Sequence, residues 1–370
     1  MRRCIFHFPE PIIENPTSGS AVRPNRMLQA FRDIGYQVDE ATGYSGDRKA
    51  EIQKIKQNIK NGVHYDFVYS ESVNSPTLMA DKDHIPRHPF MDFSFLKFCK
   101  NNGIPVLLFL RDIHWRFPTL YNPNVALWKR MILIPANTYD LHKYKSCVDL
   151  MYYPTEAMQK HVRLQLPFKA LPPGGELQEN SLEIRKHRVP LQDGKLRLFY
   201  VGSISNDYDI QKLVKATYQC ADVYLTICTH KSQWEKYRSY YEPYLCDRIQ
   251  IIHKTSKELA PYYENSDMST FCVSEHPYMD IAIPIKTMES VGYGTPILAT
   301  NLVSLSEMIN DEQVGWVAEN SVEGILQQLE YLKTHPEKIR EKTNSTIKAA
   351  YRNTWEARAR QVAEDAQNVK

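Results

Sequence analysis

Two glycine-rich phosphate signatures are missing from this chain of 370 residues. No G-x-G-x-x-G follows either of the apolar runs that read as domain-opening strands, and no Walker loop occurs. Their absence counts against a nicotinamide or flavin cofactor and against a P-loop nucleotide site. The seven cysteines (Cys4, Cys99, Cys147, Cys220, Cys228, Cys246 and Cys272) are scattered, and none belongs to a C-x-x-C pair. A zinc knuckle and a disulfide framework are thereby disfavoured. Several lie inside apolar runs, as buried thiols do, and a reducing cytoplasm is the compartment expected. No apolar run approaches the ~18 residues of a membrane span. The opening "MRRCIFHFPEP" reaches a proline before a signal peptide's apolar core would be complete. Strong charge is missing too: the net balance of +3 selects no partner, and no nucleic acid is expected.

What the chain does have is 42% hydrophobic residues, ample for two cores. Its charge is uneven, with 23 Lys/Arg against 16 Asp/Glu in residues 1–172 and 23 against 27 in the remainder. A basic front half suits peripheral contact with an anionic membrane, at its inner face if the protein is cytoplasmic. An ordinary fluctuation of solvated charge accounts for it equally well.

Strand and helix patterns alternate along the first half. "RRCIFHF", "YQVDEAT", "YDFVYSE", "IPVLLFLRD" and "LMYYP" read as strands. "NRMLQAFRDIG", "RKAEIQKIKQNIKNG", "FMDFSFLKFCKNNG" and "TEAMQKHV", the last capped by Thr155, read as helices. "PEPIIENPTSGSAVRP" reads as a loop. "ALWKRMILIP" reads either as a membrane-interface segment or as a core helix with a basic edge, the core helix being preferred. A second series of the same kind begins at "LRLFYVGSI". β-α-β-α repetition predicts parallel doubly wound sheets. The expected architecture is α/β: two Rossmann-like doubly wound domains facing a cleft. Residues 1–170 form the first domain, 171–195 a Pro, Gly and charge-rich linker, and 196–345 the second domain. A C-terminal helix at 346–370 is placed to return to the first.

Ligands of open α/β sheets bind beyond the carboxyl ends of the strands. In "FYVGSIS", Gly202 and Ser203 sit at such a place, where a glycine lets backbone amides approach a phosphate; an ordinary turn is the plain alternative. In "IPIKTMESVGYGTPILAT", residues 283–300, a proline opens a helix and Lys286 stands in its first turn. A cation there opposes the helix dipole by ~0.3–1 kcal/mol unless an anion such as a diphosphate joins it. Glu289 lies one turn on, with two acceptor oxygens suited to vicinal ribose hydroxyls. A surface Lys–Glu pair is the competing reading.

That stretch resembles the nucleotide-sugar motif of GT-B glycosyltransferases of the family 4 type, in which a P-x-K-x-x-E helix and G-x-P precede a strand. The likeness extends over residues 196–362, through "YYENSDMSTFCVSE", "LSEMINDEQVGWVAENSVEGILQQLEYL" and "NTWEARARQV". It is looser in "SGSAVRPNRMLQAFRDIGYQVD", similar to a loop whose glycine amides approach a donor diphosphate. The resemblance implies transfer of a hexose from a UDP- or GDP-linked donor to a hydroxyl acceptor, a saccharide or a lipid-linked one, in glycan biosynthesis. By the same resemblance Lys286 meets the donor phosphates and Glu289 the ribose, with Thr287 also among the donor-binding residues. Gly19, Ser20, Gly202 and Ser203 line the phosphate site, and His253, Lys254 and Thr255 hold the base. Two departures leave the stereochemical outcome open. Ile281 stands where many members have a second glutamate, with Asp280 and Glu275 off register. Only Lys212 answers to their usual basic pair.

No D-x-D pair reads as a catalytic metal site, so neither metal nor cofactor is expected; Lys286, the helix end and backbone amides can stabilise a diphosphate leaving group. For the acceptor side, "FLRDIHWRFP" delivers Arg111, Asp112, His114 and Arg116 at the end of a buried strand. Asp112 or His114 can take the acceptor proton, or His114 can bond the donor sugar; a buried Arg–Asp pair shaping the loop is the alternative. Glu71 ends the preceding strand, and "HIPRHP" reads as acceptor-loop surface. A nucleotide-sugar epimerase and a non-catalytic glycosyltransferase-like subunit share the same architecture.

Overall fold

The computed structural model describes residues 2–13, 19–255 and 258–369, with the backbone alone at Gly19 and Ser20. The chain divides into two compact units. One comprises Met1–Pro173 with Trp355–Lys370, the other Gly174–Thr354.

The first unit holds six parallel strands: β1 (Arg3–Phe8), β2 (Gln37–Thr42), β3 (Phe67–Glu71), β4 (Val106–Phe109), β5 (Leu150–Tyr153) and β6 (Phe168–Ala170). They lie in the order β2-β1-β3-β4-β5-β6, with Cys4 paired to Val38 on one side and Phe67 on the other. Every residue of β3, β4 and β5 is buried, as continuous apolar strands covered on both faces require. The order reverses between β1 and β3, so the carboxyl ends of those strands flank this sheet's switch point.

The second unit repeats the scheme with β7 (Leu196–Val201), β8 (Val223–Cys228), β9 (Ile249–Ile252), β10 (Met268–Phe271), β11 (Ile297–Thr300) and β12 (Gly315–Ala318). Their order is β12-β11-β10-β7-β8-β9, which puts the switch point between β7 and β10. The two sheets match the doubly wound pairs expected.

Five details depart from the sequence reading. The first helix runs Gly19–Asp33, with Pro24 inside it, rather than starting at Asn25. Proline at the sixth position removes only the bond to the Ser20 carbonyl, near the helix end where such losses are small. Met27, Leu28 and Phe31 are buried as expected. Residues 14–18 of the expected loop lie outside the described residues.

The stretch read as a linker is mostly folded into the second unit. It forms the helix Glu179–His187, with Leu182 in the core and Arg185 buried. Gly175 donates its N–H to the Asn353 carbonyl at 2.7 Å, and a Cβ on it would stand 2.5 Å from the Met288 carbonyl. The helix escaped notice because its inward face carries an arginine among polar residues. At the other end, helix Pro336–Arg352 stays in the second unit and buries Ile347, Ala349 and Ala350. The crossing back lies at 354/355 instead of 346. Helix Trp355–Asn368 then packs in the first unit, where Tyr152 Oη donates to Asp365 Oδ2 at 2.8 Å.

"ALWKRMILIP" is not a core helix. None of residues 127–139 in helix Leu127–Cys147 is buried, and burial begins at Asp140 and Leu141. Thr155 does not cap the element after it by its side chain.

Candidate functional site

In the second unit the sequence-predicted donor residues gather at the carboxyl edge of the sheet. Helix Ile285–Gly292 connects β10 to β11, so its amino end faces that edge, and no side chain caps it. Its other end is closed by a left-handed Gly294 (φ +67°). There Gly294 N–H donates to the Val291 carbonyl and Thr295 N–H to the Ser290 carbonyl, a reciprocal C-terminal cap. Gly292 is needed for a different reason: a Cβ would lie 2.3 Å from the Glu176 carbonyl.

Lys286 Nζ donates to Glu289 Oε2 at 2.5 Å, with both side chains only partly exposed. The i,i+3 pair of the plain reading therefore forms, and it places both groups at the helix's amino end. Thr287 Oγ1 donates back to the Pro284 carbonyl at 2.6 Å and Thr287 is buried, so this hydroxyl holds the first turn.

The other donor residues close around Cys228, the last residue of β8. Gly202 N–H donates to the Cys228 carbonyl at 3.1 Å, and Tyr200 Oη donates to the Ser203 carbonyl at 2.6 Å. His253, just after β9, sets Nδ1 2.8 Å from the Thr229 carbonyl. The Cys228 thiol lies 3.6 Å from the Lys254 carbonyl. Burial raises its pKa; Lys286 pulls it down, while Glu258 and Glu289 push it up. One thiol thus feels the 254–258 segment and the helix carrying Lys286 together. Burial and then Glu289 likewise push Tyr293 up to about 12.

Glu258 was missed in the sequence. Its carboxylate accepts from Thr255 N–H (3.0 Å), Thr255 Oγ1 (2.9 Å) and Lys254 Nζ (2.9 Å). These donors, the Thr255 amide foremost, hold it at about 2. The T-x-x-E spacing of "TSKE" is a capping-box signal that would have found it. It occupies two of the three groups expected to hold a base.

The departures from the family pattern have structural occupations. Ile281 is buried. Asp280 Oδ1 accepts from Val303 N–H at 3.1 Å and its carbonyl from Ser304 Oγ at 2.7 Å, so it caps the next helix. Lys212 Nζ donates to the Asn320 carbonyl and side chain at 2.7 and 2.8 Å.

In the first unit, Gly19 and Ser20 open a helix instead of lying in a loop. Arg111 is drawn to Glu71: Nη2 donates to Oε2 at 3.0 Å, and the Arg111 N–H donates to Ser72 Oγ at 2.9 Å. Glu71 is fully buried, accepts from Tyr69 Oη at 2.8 Å and has Arg23 Nε at 3.5 Å. Arg23, also buried, lays its guanidinium 3.5 Å above the Phe109 ring. The buried pair foreseen as Arg–Asp is Arg–Glu. Asp112 Oδ1 accepts from His114 N–H at 2.8 Å. His114 Nδ1 lies 3.1 Å from Asp112 Oδ2 without hydrogen-bond geometry. Both side chains keep some exposure, unlike Glu71. Arg116 is turned away, donating to the His161 carbonyl at 2.9 Å.

Among the described residues no three His, Cys, Asp or Glu side chains converge as a metal would need. The two literal D-x-D triplets are engaged elsewhere: Asp81 accepts from Ser45, Asp83 from Arg87 and Asp209 from Gln211 N–H.

These two sheets define a GT-B fold. Residues 195–335, within the second unit, match the model of the family described as glycosyl transferases group 1. HepE of Anabaena, solved in complex with UDP, superposes with a TM-score of 0.65 at 11% identity over 100% of both chains. Sucrose-phosphate synthase of Thermosynechococcus elongatus gives 0.63 at 13% identity over 99% of each chain. WaaG, a glycosyltransferase involved in lipopolysaccharide biosynthesis, gives 0.59 at 14% identity over 98% of this chain and 99% of its own. At such identities the likeness establishes the fold. No curated protein matches the sequence significantly.

Proposed function

We propose that the protein is a glycosyltransferase of the hexosyl type, moving a sugar from a UDP- or GDP-linked donor to a hydroxyl acceptor, a saccharide or lipid-linked saccharide, in glycan biosynthesis. The observation that carries this is Lys286 with Glu289 at the uncapped amino end of helix Ile285–Gly292, within the matched family segment and on the carboxyl side of its sheet. HepE's complex with UDP supports the same donor chemistry. The leaving diphosphate meets Lys286 and the helix end, whose fixed positive charge needs no reorganisation as the bond breaks. On this reading transfer proceeds without metal or cofactor and survives chelation. Asp112 and His114, partly exposed and in mutual contact, are the acceptor-side groups in preference to the sequestered Arg111.

Donor turnover tests this. Nucleotide release that depends on acceptor supports transfer. Isomerisation without acceptor identifies an epimerase. Binding without turnover identifies a non-catalytic subunit, a reading favoured by the buried Ile281 and the engaged Lys212. Asp112→Asn should leave donor affinity within about twofold while lowering turnover about 10²-fold or more, the scale of one general base. Full activity in that variant removes Asp112 from the mechanism.

No helix among the described residues is long and apolar enough to cross a membrane. A peripheral contact is favoured by the face of helix Leu127–Cys147, where Leu127, Trp128, Met131 and Ile132 are each more than half exposed. Lys129 and Arg130 flank them, and the helix's one carboxylate, Asp140, is buried. Apolar side chains beside cations suit an anionic leaflet. The buried, unpaired thiols suit its cytoplasmic side. Trp128→Ser combined with Met131→Ser should weaken co-sedimentation with anionic vesicles more than about tenfold, since each side chain contributes ~1.5 kcal/mol or more when buried in lipid. Unchanged sedimentation rules the contact out.

A further inference from the structure

The second unit carries a cationic pocket at the amino edge of its sheet, opposite the edge that holds Lys286. It is a shallow depression open to solvent, with only about 10 Å³ of enclosed space, lined by Arg185, Lys186, Arg188, Asp267, Arg340 and Asn344 among others. Four of those side chains are cationic and one is a carboxylate. Asp267 is fully committed: it accepts from Arg188 Nη2 at 3.0 Å and from Arg197 N–H at 2.8 Å.

Arg185 has no carboxylate of its own. It is 2% exposed. Nη1 donates to the Ser266 carbonyl, and Nη2 to the Tyr263 carbonyl and, at 2.8 Å, to Thr295 Oγ1. All three acceptors are neutral, and its enclosed Nε has no hydrogen-bond partner among the described residues. The enclosed Nε of Arg188 is likewise unpartnered. Leaving a charged donor buried and unpaired is costly. The other acids nearby are occupied: Glu264 accepts from Ser181 Oγ, and Glu183 pairs with Lys186 and His187 on the surface. At the mouth, Arg340 is exposed, and neither it nor Asn344 has a hydrogen-bond or ion-pair partner among the described residues.

We infer that this pocket is a binding site for a phosphate-type oxyanion, free or borne on a lipid headgroup, separate from the donor site. Cationic side chains from two segments, 185–188 and 340, line the depression and match the oxygens of a phosphate by charge. Nothing in this assignment depends on the glycosyltransferase reading.

The test is calorimetric titration of the full chain with inorganic phosphate at constant ionic strength. Lys286→Ala serves as background, so that phosphate at the donor edge does not contribute. A parallel arm measures co-sedimentation with phosphatidic acid vesicles against phosphatidylcholine vesicles. Saturable phosphate binding, weakened about tenfold or more by adding Arg340→Ala, supports a free anion. Vesicle binding lost with Arg340→Ala, without free-phosphate binding, supports a headgroup. Because Arg340 is exposed and unpartnered, its alanine variant should melt with the parent, separating lost binding from lost fold. Absence of binding in both arms, or binding indifferent to Arg340→Ala, overturns the assignment.

Discussion

Lys286→Ala should lower turnover about 10²–10³-fold, the loss seen when one preorganised group that stabilises a leaving charge is removed. The same change should leave folding stability within about 1 kcal/mol. Lys286 and Glu289 form a partly exposed ion pair, and pairs of that kind contribute little once solvent screening is counted. The lysine also sits at the positive end of its helix, which offsets part of even that contribution. A residue kept for the fold would show the opposite pattern, a lower melting temperature with activity unchanged in the surviving folded fraction. Enzyme assays and denaturant melts on one preparation separate the two. Lys286→Arg, which keeps the charge, should recover part of the rate.

Glu71→Ala should destabilise the first unit by about 3–5 kcal/mol, the cost of breaking a buried ion pair from one side. Glu71 is fully enclosed, and its carboxylate stands between Arg111, Arg23 and Tyr69. Removing it takes a carboxylate away from two guanidinium groups, one of them almost wholly buried over the Phe109 ring. Glu71→Gln keeps the shape and one acceptor oxygen and should cost less. A chemical denaturation curve for each variant measures the difference. A Glu71→Ala protein within 1 kcal/mol of the parent, with turnover lost, would move Glu71 from scaffold to catalysis.

The doubly wound sheets were legible because buried parallel strands write themselves as unbroken apolar runs, as in "IPVLLF" and "LMYY". The helix of Lys286 was legible because proline, lysine, glutamate and glycine punctuate it at fixed spacing. Partnership over distance was not legible. Arg111 and Glu71 look like two polar groups at two strand ends until the sheet sets β3 beside β4. Asp280 could not be recognised as a cap for a helix beginning 23 residues later. The helix at Glu179–His187 was hidden in a polar stretch because its buried face includes Arg185, an inward charge that composition reads as solvated. The exposed face at Leu127–Ile132 failed in the reverse sense: an apolar run was read as interior, although nothing among the described residues covers it.

Isothermal titration of the intact protein with UDP, GDP, dTDP and ADP bears most directly on the claim that a pyrophosphate belongs beside Lys286. One nucleotide should bind saturably and selectively, raising stability by ~2.7 kcal/mol at a hundredfold over its Kd, with most of that gain gone in Lys286→Ala and in Glu289→Ala. Equal weak heats for all four, or tight binding untouched by either substitution, would contradict it.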